Sequence, residues 1–148
     1  MFEPAFVIDA SVFVADAQPH EPFHAEANLL LETLAAQECV LHVPAIVLSE
    51  IAAALARGAG DPDLAREAVG LYRQWPGVRI TPVDGLLGSL AADVAAGSRI
   101  RGCDAVYVAL AYVEQAVLVT LDGQQRERAP SGVTACTPAQ ALAEWFQP

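Results

Sequence analysis

The segments Ala5-Phe6-Val7-Ile8-Asp9 and Val117-Leu118-Val119-Thr120-Leu121-Asp122 are almost wholly apolar, and each ends in an aspartate. Continuous apolar runs of this length are typical of strands that helices cover on both faces of a parallel sheet. An ionised carboxylate beside such a run is costly unless it meets water, a partner or a metal. The two segments therefore predict buried strands with an acidic side chain at the end of each.

Strand and helix patterns alternate along the rest of the chain. Further short strands are predicted at 40–43, 78–83 and 133–136. Helices are predicted at 11–17, 23–37, 45–57, 61–74, 84–98, 104–115 and 138–146. This alternation favours a three-layer α/β/α fold, with a mostly parallel central sheet of four to five strands. We expect residues 1–148 to form a single domain.

Composition narrows the class of protein. Hydrophobic residues make up 54% of the sequence, which is enough for a sizeable core. No apolar run reaches the roughly 18 to 20 residues that cross a bilayer, and no signal peptide is recognised, so we expect a cytoplasmic protein without membrane contact. The three distant cysteines, Cys39, Cys103 and Cys136, are predicted to be buried thiols rather than a zinc site or disulfides.

The charge of the chain excludes several chemistries. The net charge is −10, all eight cationic residues are arginines, and lysine is absent. A Schiff-base lysine, a phosphate-binding lysine of the Walker type and a lysine partner to a phospho-aspartate are therefore excluded. An acidic chain repels nucleic acid in general, and a bound divalent ion or a basic partner would cancel part of that charge.

Two further acids, Glu50 and Asp104, lie in apolar helical stretches. Each acid alone has an ordinary explanation: Asp9 and Asp104 could cap helices, and Asp122 could form a turn. Glu50 has no cation three or four residues away, and its nearest same-face cation is Arg57. If the four acids meet, their mutual repulsion requires a cation, and carboxylate oxygens suit Mg²⁺ or Mn²⁺.

Four short motifs containing these acids carry a family resemblance. They are Val7-Ile8-Asp9-Ala10-Ser11, then Leu48-Ser49-Glu50, then Asp104-Ala105-Val106-Tyr107-Val108-Ala109-Leu110-Ala111, and finally Val119-Thr120-Leu121-Asp122. In this order they resemble the PIN-domain ribonucleases and, more narrowly, the VapC toxins of toxin–antitoxin pairs. The resemblance extends from position 6 to about position 136. One departure is the fully polar segment 123–128, where relatives carry an apolar residue, so its conformation is left open.

The resemblance implies an endoribonuclease dependent on Mg²⁺ or Mn²⁺, which hydrolyses RNA phosphodiesters with a metal-activated water. Asp9, Glu50, Asp104 and Asp122 match the acidic quartet of the family, which is both catalytic and metal-binding. Ser11 and Thr120 match positions that support the metal site through hydroxyl hydrogen bonds. The expected partners are RNA, a cognate antitoxin protein and a second copy of the chain in a homodimer.

Four arginines flank the last two acids and could hold RNA phosphates in a forked geometry, although solvated surface positions remain an alternative. They are Arg99, Arg101, Arg126 and Arg128.

Three other classes of protein also carry acidic residues at strand ends or share this fold. A catalytically degenerate PIN module that binds RNA or protein without cutting is the main alternative, and the intact quartet argues against it. A phospho-acceptor signalling domain needs a paired acid at the first strand and a late lysine, and the chain has neither. A phosphatase of the haloacid-dehalogenase type needs a second aspartate at position 11, which is a serine.

Overall fold

A computed structural model describes residues 4–147 of the chain. Their five strands form one parallel sheet in the order β3-β2-β1-β4-β5. The strands are β1 (Phe6–Ile8), β2 (Leu41–Pro44), β3 (Val78–Thr81), β4 (Val117–Val119) and β5 (Ala135–Cys136). The helices are α1 (Ala10–Ala17), α2 (His24–Ala36), α3 (Val47–Ala59), α4 (Pro62–Arg73), α5 (Gly85–Ser98), α6 (Gly102–Glu114), α7 (Gly123–Glu127) and α8 (Pro138–Trp145). The predicted α/β/α arrangement is confirmed.

The two apolar segments form the centre of the sheet. β1 pairs with both β2 and β4, and all residues of β1 and β4 are buried. Both strands are shorter than predicted, but the hydrogen bonding continues past them. The amide of Asp9 donates to the carbonyl of Val119, and the amide of Thr120 donates to the carbonyl of Cys136. Asp9 therefore follows directly on the sheet, and Asp122 lies two residues beyond Thr120.

Helix pairs cover the sheet and set the position of the acids. α6 packs on β1, β2 and β4, while α3 packs on α1 and α4, and α5 packs on α6. The predicted start of α4 is confirmed, because the Asp61 side chain accepts hydrogen bonds from two amides of the first turn and Pro62 follows it. Within residues 4–147, no helix has both the length and the apolar character needed to cross a membrane.

Two details differ from the sequence-based picture. The polar segment after Asp122, which the sequence left open, forms the short helix α7, because the Asp122 carboxylate caps it and Gln125 turns inward. The expectation of three buried thiols is wrong for Cys103, which is exposed, whereas Cys39 and Cys136 are buried. Cys103 lies in the first turn of α6, which begins at Gly102, two residues before its predicted start.

Candidate active site: an acidic cleft at the strand ends

One cleft of about 600 Å³ at the carboxyl ends of β1 and β4 contains all four predicted acids. Asp9 follows β1, Asp122 follows β4, Glu50 comes from α3, and Asp104 comes from the first turn of α6. Ligands of open parallel sheets bind at this end of the strands. The other residues that line the cleft are Ala10, Ser11, Val14, Ser49, Ala53, Ala54, Arg57 and Arg101.

Asp9 is the most enclosed of the four acids, with 6% of its surface exposed. Its Oδ2 accepts hydrogen bonds from the amide of Ser11 (3.0 Å) and from the hydroxyl of Thr120 (3.2 Å). Burial raises the pKa of Asp9, and the charge of Asp104 adds to this, while the bonds from Ser11 and Thr120 act in the opposite direction. Asp9 also caps α1, so the capping explanation and the cleft explanation both apply to this residue.

Glu50 is held by a tyrosine of the neighbouring helix. The hydroxyl of Tyr107, on α6, donates to Oε1 of Glu50 at 2.7 Å. The pKa of Glu50 is raised by burial first and by the charges of Asp9 and Asp104, against the hydrogen bond from Tyr107 and the charge of Arg101. In the sequence, Tyr107 stood out only as part of the third motif. Tyr107 lies three residues after Asp104 on the same helix, and this spacing places both side chains on one helix face near the site.

Asp104 and Asp122 share a cation. Arg101 Nε donates to Oδ2 of Asp104 at 2.9 Å, and a terminal nitrogen of the same guanidinium lies 3.3 Å from Oδ2 of Asp122. Asp104 does not cap α6, because Arg101 holds the cap position and Asp104 is the third residue of the helix. Asp122 caps α7, with its Oδ1 accepting from the amide of Gln125 at 3.1 Å. The sequence did not indicate this central position for Arg101.

The two predicted hydroxyl residues connect the two strand ends. The Thr120 hydroxyl contacts Asp9 and also accepts a hydrogen bond from the amide of Asp122 at 3.0 Å. The Ser11 hydroxyl accepts from the amide of Leu121 at 3.1 Å. These hydrogen bonds join α1 to the segment that follows β4, and they set the backbone positions from which Asp9 and Asp122 project.

The flanking arginines do not act as one group. Arg101 lines the cleft, as does Arg57, which the sequence indicated only as the nearest same-face cation of Glu50. Arg126 donates to the carbonyl of Thr120 at 3.0 Å, and Arg128 donates to the carbonyl of Arg99 at 2.7 Å. The structure therefore brings Arg101 and Arg57 to the acids and ties Arg126 and Arg128 to the backbone beside them.

The side chains that line the cleft offer carboxylate and hydroxyl oxygens. Oxygen atoms of these kinds are the ligands that Mg²⁺ and Mn²⁺ prefer. As the side chains stand in residues 4–147, no three His, Cys, Asp or Glu residues are grouped closely enough to hold an ion. Two of the four carboxylates instead contact the guanidinium of Arg101. The residue types fit a divalent ion, and an ion bound to Asp104 and Asp122 would meet the guanidinium of Arg101 there.

A family model for the PIN domain matches residues 6–129. The chain belongs to the PIN domain family. The resemblance stated from the four sequence motifs is thereby confirmed. No curated protein sequence matches the chain significantly.

Solved structures extend the likeness. VapC20 of Mycobacterium tuberculosis, described as a sarcin-ricin loop cleaving toxin, is 21% identical, with a TM-score of 0.70 over 88% of this chain and 99% of that one. VapBC2 of Rickettsia felis, solved with a promoter DNA fragment, is 15% identical, with a TM-score of 0.70 over 90% and 98%. FitAcB of Neisseria gonorrhoeae is 18% identical, with a TM-score of 0.66 over 90% of this chain and 98% of that one. At these identities the likeness shows a shared fold.

Proposed function

We propose that this PIN domain is a divalent-metal-dependent endoribonuclease and the toxin of a toxin–antitoxin pair. The observation that carries the proposal is the gathering of four carboxylates from four separate elements in one cleft at the strand ends. The pKa of both Asp9 and Glu50 is raised, which means that their charges lack full compensation where they stand. Toxins and toxin–antitoxin complexes among the structures with this fold support the same proposal.

Asp9, Glu50, Asp104 and Asp122 are the residues that would hold Mg²⁺ or Mn²⁺. A divalent ion at such a site activates water for attack and offsets charge on a phosphodiester. The hydroxyls of Ser11 and Thr120 keep the two strand-end aspartates in place, and Tyr107 keeps Glu50 turned toward the cleft. Arg57 and Arg101 supply the positive charge of the cleft wall, where an RNA phosphate would lie.

The test is Asp9→Asn with Asp93→Asn as its control. The asparagine keeps the size of the side chain and its helix-capping capacity, whereas Asp93 is an exposed acid on α5 outside the cleft. With Mg²⁺ or Mn²⁺, we expect Asp9→Asn to lower RNA cleavage by about 100-fold or more and to abolish growth toxicity, while Asp93→Asn cuts as the parent does. Equal cleavage by Asp9→Asn and the parent would refute the mechanism.

The parent protein also tests the main alternative. A parent that binds RNA but does not cut it with either metal ion would favour a degenerate PIN module, which acts by binding alone. Cleavage that requires the added metal ion and stops with a chelator would exclude that module.

An antitoxin is the proposed protein partner, and cytoplasmic location and a homodimer belong to the same proposal. The net charge of −10 without lysine favours a basic partner surface. If a short reading frame beside this one encodes the antitoxin, its product should co-purify with the chain and suppress RNA cleavage. A neighbouring product that neither binds nor inhibits would remove the toxin–antitoxin part and leave the nuclease part intact.

A further inference from the structure

Arg101 contacts two acids that come from different parts of the chain. Asp104 is three residues away in α6, and Asp122 is 21 residues away at the start of α7. The Arg101 side chain is 76% exposed, although its guanidinium reaches the carboxylates at the cleft. Of the arginines whose ion pairs the structure describes, Arg66 contacts only Asp63, far from the cleft, so the bridging position distinguishes Arg101.

The oxygens that Arg101 contacts belong to two of the proposed metal ligands, Asp104 and Asp122. Oδ1 of Asp122 already accepts the amide of Gln125, and Oδ2 contacts Arg101. On Asp104, Oδ2 accepts from Arg101 Nε. Both oxygens of Asp122 are therefore engaged, and the bond to Gln125 is part of the helix cap. Release of the exposed arginine is the smaller change, because an exposed ion pair contributes little to stability.

We propose that Arg101 is an internal counter-cation that competes with the divalent ion for Asp104 and Asp122 and leaves both when the ion binds. This inference rests on the proposed metal-dependent function and adds a competing group within the chain. In the structure the guanidinium occupies oxygens from two of the four acids, where a bound ion would have to replace it. The affinity for the ion is then set partly by the chain itself, and Asp104 and Asp122 keep a compensating charge when divalent ions are scarce.

The experiment is calorimetric titration of the full chain with MnCl₂, comparing the parent, Arg101→Gln and Arg57→Gln. Arg57 is the matched control, since it is a cation on the same cleft with no carboxylate contact described for it. We expect Arg101→Gln to bind Mn²⁺ about three- to tenfold more tightly than the parent, and Arg57→Gln to change the affinity by less than about twofold.

A second readout is thermal melting with and without Mn²⁺. Without the ion, Arg101→Gln should melt below the parent, because Asp104 and Asp122 lose their compensating charge. With saturating Mn²⁺ its gain in melting temperature should exceed that of the parent. Arg101→Lys keeps the positive charge but lacks the forked guanidinium. It should bind Mn²⁺ with an affinity between those of the parent and Arg101→Gln. If Arg101→Gln does not fold, Arg101→Lys takes its place in the comparison.

The outcomes separate the two proposals. Equal Mn²⁺ affinity in the parent and Arg101→Gln would overturn the competition while leaving a metal-dependent nuclease in place. An equal gain in Arg57→Gln would also overturn it, because the effect would then be general charge in the cleft. If the parent and all variants fail to bind Mn²⁺, both the competition and the metal-dependent function are wrong.

Discussion

The acidic cleft and a second cavity on the same molecule differ in how they satisfy their polar groups. The second cavity, of about 490 Å³, lies between the end of α1, α3 and α4, and its lining is mostly apolar, including Leu55, Leu64 and Leu71. We call it the apolar groove. Its one prominent buried polar group, the Tyr72 hydroxyl, donates to Asp16 at 2.6 Å. Burial raises the pKa of Tyr72 as well, but a tyrosine then simply stays neutral. In the acidic cleft, by contrast, burial disfavours the ionised form of two carboxyl groups, and the pKa of both Asp9 and Glu50 is raised.

Charge, rather than volume, distinguishes the cavity suited to chemistry from the structural one. Volume does not separate the two cavities, because they are of similar size. What separates them is uncompensated charge, which is costly to the fold and is retained where it serves a reaction. Substitutions in the cleft should therefore change activity and ion binding, whereas substitutions in the groove should change stability alone.

The largest expected effect is the loss of the ion response in Asp104→Ala. The parent should melt at a higher temperature when Mn²⁺ is added, since the ion binds the folded state, and Asp104→Ala should lose most of that shift. RNA cleavage should fall by about 100-fold or more. Thermal melts with and without Mn²⁺ measure the first effect, and Asp93→Ala serves as the control. An equal shift in Asp104→Ala and the parent would mean that Asp104 is not a ligand.

Tyr107→Phe should have the next largest effect. The substitution keeps the buried ring and removes the hydroxyl that holds Glu50. Cleavage should fall about 10-fold, as is common when a group that orients a ligand is removed. Tyr112→Phe is the matched control, because Tyr112 lies on the same helix and is 56% exposed. Kinetics of both variants at saturating Mn²⁺ measure this, and equal rates would show that Tyr107 only packs.

Tyr72→Phe tests the apolar groove. The variant loses the hydrogen bond to Asp16, so the free energy of unfolding should fall by about 1 kcal/mol, which corresponds to roughly 2–4 °C in melting temperature for a chain of this length. RNA cleavage by the folded variant should stay within about twofold of the parent. A loss of cleavage as large as that of Tyr107→Phe would contradict the separation of the two cavities.

The smallest effect is a gain in stability for metal-free Asp9→Asn. Burial raises the pKa of Asp9 in the folded state above its unfolded value, so ionisation costs more in the folded protein. The stability of the parent should then fall as pH rises from the unfolded pKa through the folded one. Asp9→Asn should melt above the parent at neutral pH, by less than Tyr72→Phe lowers the melting temperature, and the difference should shrink toward pH 4. A lower melting temperature for the variant at neutral pH would contradict this cause.

Most of the framework was predictable from local sequence. The apolar runs indicated the parallel strands, and the Asp61-Pro62 pair indicated the start of α4, because such signals depend on neighbouring residues alone. The bounds were less exact: α6 begins at Gly102 rather than Asp104, and the polar segment after Asp122 gained a helix. That helix depends on the inward turn of Gln125, whose side-chain Nε2 donates to the backbone carbonyl of Asp104 on α6. No neighbouring residue indicates such a distant contact.

Residue types and their order were enough to indicate the acids at the strand ends, the oxygen-rich donor set and the exclusion of lysine chemistry. These features follow from residue type and from the rule that parallel strands end at a common edge. The side chains that meet the acids became visible in the fold: Tyr107 on Glu50, Thr120 on Asp9, and Arg101 between Asp104 and Asp122. Those contacts join residues from separate elements, and they depend on how the helices pack on the sheet rather than on spacing along the chain.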